Sequence, residues 1–223
     1  LTLILHRNDD CPVAMLTTAG LSKLGIRVPA HRSAQTLLQA FGKPIAAPSA
    51  NPSGRISPST ATHVLDGLEG RLDLVLDGGP CESGLESTII DCTGDIARLL
   101  RPGGITRDAL AAALATANCN PQIDMAEPLA DSENPVAPGQ LASHYAPNAP
   151  VRLMANTSAA DEELIGFGAV SGAGKLALNL SPSADLVEAA ANLFSMLHAV
   201  DTADIAKIAI APIPDIGLGE AIN

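Results

Sequence analysis

The sequence predicts an α/β protein in two parts, a domain built on a mixed sheet followed by a small, parallel, doubly wound one. Three observations predict it. Short apolar runs bounded by polar clusters interleave with amphipathic stretches, the pattern of alternating strands and helices. In the first half several strand-like runs follow one another directly, so that sheet cannot be purely parallel. After a proline-punctuated stretch without periodicity, strand and helix alternate in strand–helix–strand order.

The first strands are residues 1–5 and 24–28. Residues 33–41 place Ala34, Leu37, Leu38 and Phe41 on one helical face, with Gly42 positioned to stop the helix. Residues 44–47 read as a buried strand ending in the small-residue turn Pro48-Ser49-Ala50-Asn51-Pro52-Ser53-Gly54. Ser57 as cap and Pro58 at the first helical position then predict a helix whose core stripe is Ala61, Val64, Leu65 and Leu68. Further strands are expected at 72–76, 87–91 and 96–100, and Thr106 caps a helix over 107–117. Residues 118–150 carry six prolines and no long apolar run, which is the composition of a linker. Beyond it lie strands at 151–154, 164–167, 175–180 and 205–211. A long helix from Ala184 shows Leu186, Ala189, Ala190, Leu193 and Leu197 on one face, and the whole reads as a small Rossmann-like domain, 151–223.

Composition narrows the function classes. Nearly half the chain is apolar (47%), so it folds; with three Phe, one Tyr and no Trp, its cores are aliphatic and base-stacking platforms are unlikely partners for single-stranded RNA. A formal net charge of −11 argues against a broad electrostatic grip on nucleic acid. Four scattered cysteines with no C-x-x-C pair predict free thiols in a reducing cytoplasm. There is no apolar run of membrane-span length and no signal peptide. The chain opens inside a strand without Met, and the reading is that its N-terminal part is truncated.

Three clusters carry candidate chemistry. The turn Ser49–Gly54 delivers Ser and Asn side chains from a strand end, lets backbone approach a ligand, and precedes a helix start whose free N–H groups suit phosphate oxygens. The same residues also make an ordinary helix-capping turn. Glu86-Ser87-Thr88-Ile89-Ile90-Asp91 sets hydroxyls into a strand, and Arg101-Pro102-Gly103-Gly104 puts an arginine at a strand end, where it could fork onto phosphate or carboxylate or pair with a surface acid.

In this order the run from Lys43 to Thr60, the Glu86–Asp91 cluster and Arg101–Gly104 resemble the YrdC family, and Gly25–His31 fits it as well. Residues 137–147, Asn192–His198 and Gly217–Asn223 resemble the longer, two-domain threonylcarbamoyl-AMP synthases with a Rossmann-like C-terminal domain. That resemblance implies a YrdC-like twisted mixed sheet over 1–117, a linker or lid at 118–150, and the small domain after it. It implies a nucleotidyltransferase: threonine takes up bicarbonate as a carbamate, which attacks the α-phosphate of ATP, with Mg2+ accompanying the ATP, and expels pyrophosphate. The product feeds downstream tRNA-modifying transferase proteins in the cytoplasm, with at most weak direct contact to tRNA and none to a membrane.

Carried across residue by residue, the resemblance gives Arg27, Ser49 and Ser87 to threonine, and Asn51, Ser59 and Arg101 to ATP, with His144 and Tyr145 folding over the nucleotide. It gives no residue as a general acid or base, which suits a reaction run by positioning and charge compensation. The family's Lys-x-Arg element has no counterpart here; it would precede Leu1, and its absence implies weakened ATP binding by this stretch.

Other readings fare worse. Gly168–Lys175 is one residue too long for a phosphate loop and has Leu176 where Ser or Thr should follow. The five histidines share no zinc-ligand spacing, and Glu82 with Glu86 lacks support as a glycosidase pair. The competitor from another class is a non-catalytic module for double-stranded RNA or the ribosome, against which the acid excess weighs.

Overall fold

The computed structural model describes residues 1–125 and 146–223. In chain order its elements are β1 (Thr2–His6), β2 (Lys23–Arg27), α1 (Arg32–Phe41), α2 (Ala61–Leu68), β3 (Ile89–Asp91), β4 (Ala97–Arg101) and α3 (Arg107–Thr116). They continue with β5 (Ile123–Met125), β6 (Val151–Arg152), β7 (Glu163–Ile165), α4 (Leu186–Thr202), β8 (Ile208–Ile210) and α5 (Gly219–Ile222). These gather into two compact units that are discontinuous in sequence: Leu1–Pro48 with Ser87–Gln140, and Ser49–Glu86 with Leu141–Asn223.

The first unit is a five-stranded sheet of order β2-β1-β3-β4-β5. β1 pairs antiparallel with β2 and parallel with β3, and β4 pairs antiparallel with β3 and parallel with β5, so the sheet is mixed as expected. Its core is aliphatic: Ile90, Leu99 and Leu110 of α3 form one cluster, and Ile4 with Ile89 another. Thr106 caps α3 by accepting from the Ala109 N–H, as its sequence position predicts. Beside the sheet Lys23 donates to Asp91 at 2.8 Å. Burial alone would raise the Asp91 carboxyl, but hydrogen bonds from Lys23 and from the hydroxyl and N–H of Thr93 hold it below its ordinary 3.8.

The second unit packs α4 on an all-parallel sheet of order β6-β8-β7. Asp185 caps α4 through the N–H groups of Val187 and Glu188. The helix buries Ala189, Ala190, Leu193, Phe194, Leu197 and Val200. Ile165, Leu180, Ile208 and Ile210 meet that face, and so does Ile56 from the Ser49–Glu86 segment. Gly84 lies so close to α4 that a Cβ there would stand 2.5 Å from the Ala190 carbonyl oxygen and 2.7 Å from that of Ala191.

The structure departs from the sequence expectations in seven places. Residues 44–47 and 72–76 form no strand; they are largely exposed, and among the described residues no neighbour supplies the ladder a strand needs. The stripes of α1 and α2 have no buried residue either, with Leu37 50%, Phe41 56% and Leu65 51% exposed. The helix expected from Ser57 begins at Ala61 instead. Thr60 is its cap, because the Thr60 hydroxyl reaches the His63 N–H while the Ser57 hydroxyl is taken by Glu86. Residues 175–180 touch Gly166 through two backbone hydrogen bonds but do not extend as a strand, since Ala177 sits in the left-handed region at φ 49°. Within the stretch expected as linker, Ile123–Met125 adds the outer strand β5.

Two predictions follow from this packing. Gly84→Ala should destabilise the second unit by about 2–3 kcal/mol, read by urea denaturation, because backbone carbonyls cannot step aside for the methyl. Asp91, whose carboxyl is held low, contributes stability that is present above pH 3.8 and lost as pH falls through its folded value. Asp91→Asn should therefore flatten the acid limb of a stability–pH curve and cost about 1 kcal/mol at neutral pH, the ion pair being partly exposed.

Candidate functional site

Within the first unit, three of the expected site residues converge on one hydroxyl. β2 ends at Arg27, β4 ends at Arg101, and Ser87 lies two residues before β3 between them. Arg27 Nη1 donates to Ser87 Oγ at 3.3 Å, and Arg101 Nη2 donates to the same oxygen at 3.0 Å. Arg101 also forks its Nε and Nη2 onto the Ser87 carbonyl, at 3.0 and 2.7 Å. Thr2 Oγ1 lies 3.1 Å from Ser87 Oγ, a neighbour that sequence reading missed and that only the parallel β1/β3 pairing brings there. Thr88, 1% exposed, pins the loop beyond Arg101 by donating to the Ile105 carbonyl and accepting its N–H. Two guanidinium groups beside a serine hydroxyl and an exposed strand end make a place suited to carboxylate or phosphate.

The second unit holds the Ser49–Gly54 turn. Ser49 itself is exposed. Asn51 Nδ2 donates to the carbonyls of Pro52 and Arg55, both at 3.0 Å, which fixes the side chain. Its Oδ1 is screened from solvent and has no hydrogen-bond partner among the described residues. Gly54, at φ 80°, takes the positive-φ position, and its carbonyl accepts the Ala146 N–H. Arg55 bonds Asn148, whose N–H and Nδ2 reach Asp201 of α4.

Ser59 lies deeper than the sequence suggested. It is 4% exposed, with its hydroxyl 2.9 Å from Ser195 Oγ and its N–H donating to His63 Nδ1. Burial first, then the neighbouring His198, holds the His63 imidazole below its ordinary 6.5, and Asp66 works weakly the other way. The Ser57 hydroxyl donates to Glu86, while burial, and then Glu86, pushes the nearby Cys81 thiol up. His144 and Tyr145 lie outside the described residues.

The glycine-rich stretch 168–175 packs closely on the protein around it. Glu163, 2% exposed, accepts the Leu176 N–H at both carboxylate oxygens, and a Cβ on Gly174 would meet Glu163 Oε2 at 2.4 Å. Among the described residues no group of three His, Cys, Asp or Glu is placed to hold a metal ion, and no helix is long and apolar enough to cross a membrane. All four cysteines are free.

The first unit offers a forked arginine–serine cluster suited to an anion, and the second a Ser-x-Asn turn with an asparagine held by its own backbone. Comparison with known proteins supplies the class. Residues 1–103 match the Sua5/YciO/YrdC family, described as telomere recombination, and residues 105–223 match the C-terminal domain of threonylcarbamoyl-AMP synthase. The threonylcarbamoyl-AMP synthase of Bacillus subtilis is 37% identical over the whole of this chain and 67% of its own length, and that of Pyrococcus abyssi 32% over the same shares. The crystal structure of P. abyssi Sua5 complexed with L-threonine superposes with a TM-score of 0.81 at 30% identity, over 99% of this chain and 67% of that one. The chain therefore belongs to the two-domain threonylcarbamoyl-AMP synthase family of nucleotidyltransferases.

Proposed function

We propose that Arg27 and Ser87, with Ser49, hold L-threonine, and that Asn51, Ser59 and Arg101 serve ATP. The activity is that of the family: threonylcarbamoyl-AMP and pyrophosphate are made from L-threonine, bicarbonate and ATP. The observation that carries the assignment is the convergence of two guanidinium groups on Ser87 Oγ, at 3.3 and 3.0 Å. Arg27, exposed at its strand end, is free to turn its fork to the threonine carboxylate, and the Ser87 hydroxyl to the amino acid's polar atoms. Asn51 Oδ1, an acceptor without a donor, takes a hydrogen bond from the nucleotide. Ser59 is the buried anchor of the ATP-binding turn.

The threonine nitrogen bonds to the bicarbonate carbon with loss of one water, and the resulting carbamate oxygen attacks the α-phosphorus as the bond to the leaving pyrophosphate breaks. Arg101 offsets negative charge as the phosphoryl oxygens crowd, and its bonds to Ser87 keep that charge in one place. Magnesium enters as part of the MgATP substrate and compensates the triphosphate. His144 and Tyr145 complete the assignment to ATP. The product suits consumption by tRNA-modifying transferase proteins, with only weak direct contact to tRNA. A cytoplasmic site of action agrees with four free thiols.

Threonine-dependent release of pyrophosphate from MgATP in bicarbonate tests the activity. Ser87→Ala should raise the KM for threonine about tenfold while leaving that for ATP nearly unchanged. Arg101→Lys, which keeps the charge but loses the fork, should lower kcat/KM about ten- to a hundredfold with melting temperature held within a few degrees. Unchanged kinetics in both variants would remove the cluster from the site. A protein that releases no pyrophosphate, yet binds RNA with a steep salt dependence and no ATP requirement, would overturn the catalytic reading in favour of an RNA-binding module.

A further inference from the structure

Two histidines far apart in sequence meet in the second unit. His63 on α2 and His198 on α4 stack with ring centroids 3.9 Å apart and planes 23° apart. Each ring also holds one residue of the segment that follows the Ser49–Gly54 turn. The Ser59 N–H points at His63 Nδ1 at 3.3 Å, and His198 Nε2 lies 3.0 Å from the Ser57 carbonyl oxygen. Chemistry fixes the protons. A backbone N–H can only donate, so His63 Nδ1 accepts, which makes that ring neutral with its proton on Nε2. A carbonyl can only accept, so His198 Nε2 donates.

We infer that His63 and His198 are positioning residues for the nucleotide-binding turn, and that ATP affinity depends on His63 remaining a neutral acceptor. The inference rests on the assignment of Asn51 and Ser59 to ATP. Protonation of His63 would set an N–H against the Ser59 N–H and place positive charge on the face of His198. The Ser57–Ser59 segment would then lose one of its two imidazole anchors, and Asn51, six residues before Ser57, would lose the frame that aims its open Oδ1.

The surroundings favour the neutral form. The packing of α4 and α2 around His63 disfavours charge, and His198 on α4 opposes it, against weak support from Asp66 on α2. On the facing segment Glu86 is bonded to the Ser57 hydroxyl, and the Cys81 N–H is bonded to the Ser59 carbonyl. Asp201, further along α4, is engaged with Asn148. The sign follows: with its affinity for a proton reduced, His63 is neutral above pH 6.5 and charges only as pH falls below that value.

The test uses two variants. His63→Asn offers an amide oxygen to the Ser59 N–H and cannot titrate. His63→Phe keeps a ring against His198 and offers no acceptor. MgATP affinity is measured by calorimetry from pH 5.5 to 8, with thermal unfolding as the control for folding. The wild-type Kd should be level above pH 6.5 and rise as the pH falls below that value, with kcat little changed. His63→Asn should lose that acid limb, any titration of ATP itself being common to both proteins, and His63→Phe should bind about tenfold more weakly at every pH. Without ATP, the Ser59 amide resonance should titrate in the wild type and not in His63→Asn. An acid limb that persists in His63→Asn, or a folded His63→Phe that binds like the wild type, overturns the inference. Failure of the wild type to bind ATP at any pH is a different result, because it removes the ATP assignment itself.

Discussion

Much of the second unit depends on how closely the Ser49–Glu86 segment seats on α4. The approach is possible because Gly84 has no side chain: the carbonyls of Ala190 and Ala191 occupy the space a Cβ would need. Helix α4 buries Ala189 and Ala190, whose small side chains suit a close approach, and Leu85 packs against the same core. Ile56 then enters the α4 core, 3% exposed, and draws the polar residues on either side of it onto the helix. Apolar burial supplies the attraction, and the hydrogen bonds of Ser57, Ser59 and His63 give it one geometry instead of many.

The polar part of that contact has little slack. Ser57 and Ser59 are 5% and 4% exposed, and both hydroxyls have protein partners, Glu86 for one and Ser195 with His63 for the other. Buried hydroxyls left unpaired would each cost of order 1–3 kcal/mol, so the network holds together or fails together. The cluster in the first unit is of another kind. Arg27 is exposed, Ser87 is half-buried, and the bonds between them can be exchanged for bonds to a ligand without stranding a buried group. One set of contacts fixes a turn, and the other stays available.

The strand and helix signals that were legible are those with local causes. β1, β2, α3 and the Asp185-capped α4 follow from period, cap and stop residues that a neighbour of any kind would satisfy. Residues 44–47 and 72–76 have equally good strand composition, yet a strand exists only where another strand accepts its backbone, and composition carries no information about that. The site followed the same division. Arg27, Ser87 and Arg101 sit at or beside strand ends, where the order of strands brings them together; Ser87 and Arg101 stand out in the sequence at strand boundaries, whereas Arg27 comes from the family resemblance. Thr2 and the histidine pair belong to no local pattern. Thr2 reaches Ser87 only through the β1/β3 pairing, and the His63–His198 stack joins residues 135 positions apart on two helices.

That last contact shows why histidine spacing was a poor guide here. Absence of a metal-ligand interval along the chain argues against a zinc site, and nothing more. Two imidazoles can instead do structural work, one donating to a carbonyl and the other accepting from an amide, as His198 and His63 do. Serine and asparagine could make either bond, but neither can also lay a flat apolar face against its partner at 3.9 Å. Stacking and a fixed tautomer together hold the Ser57–Ser59 backbone from two directions with two side chains. The same choice puts a titratable ring, its proton affinity lowered by burial and by His198, among the hydroxyl and backbone groups that fix the turn.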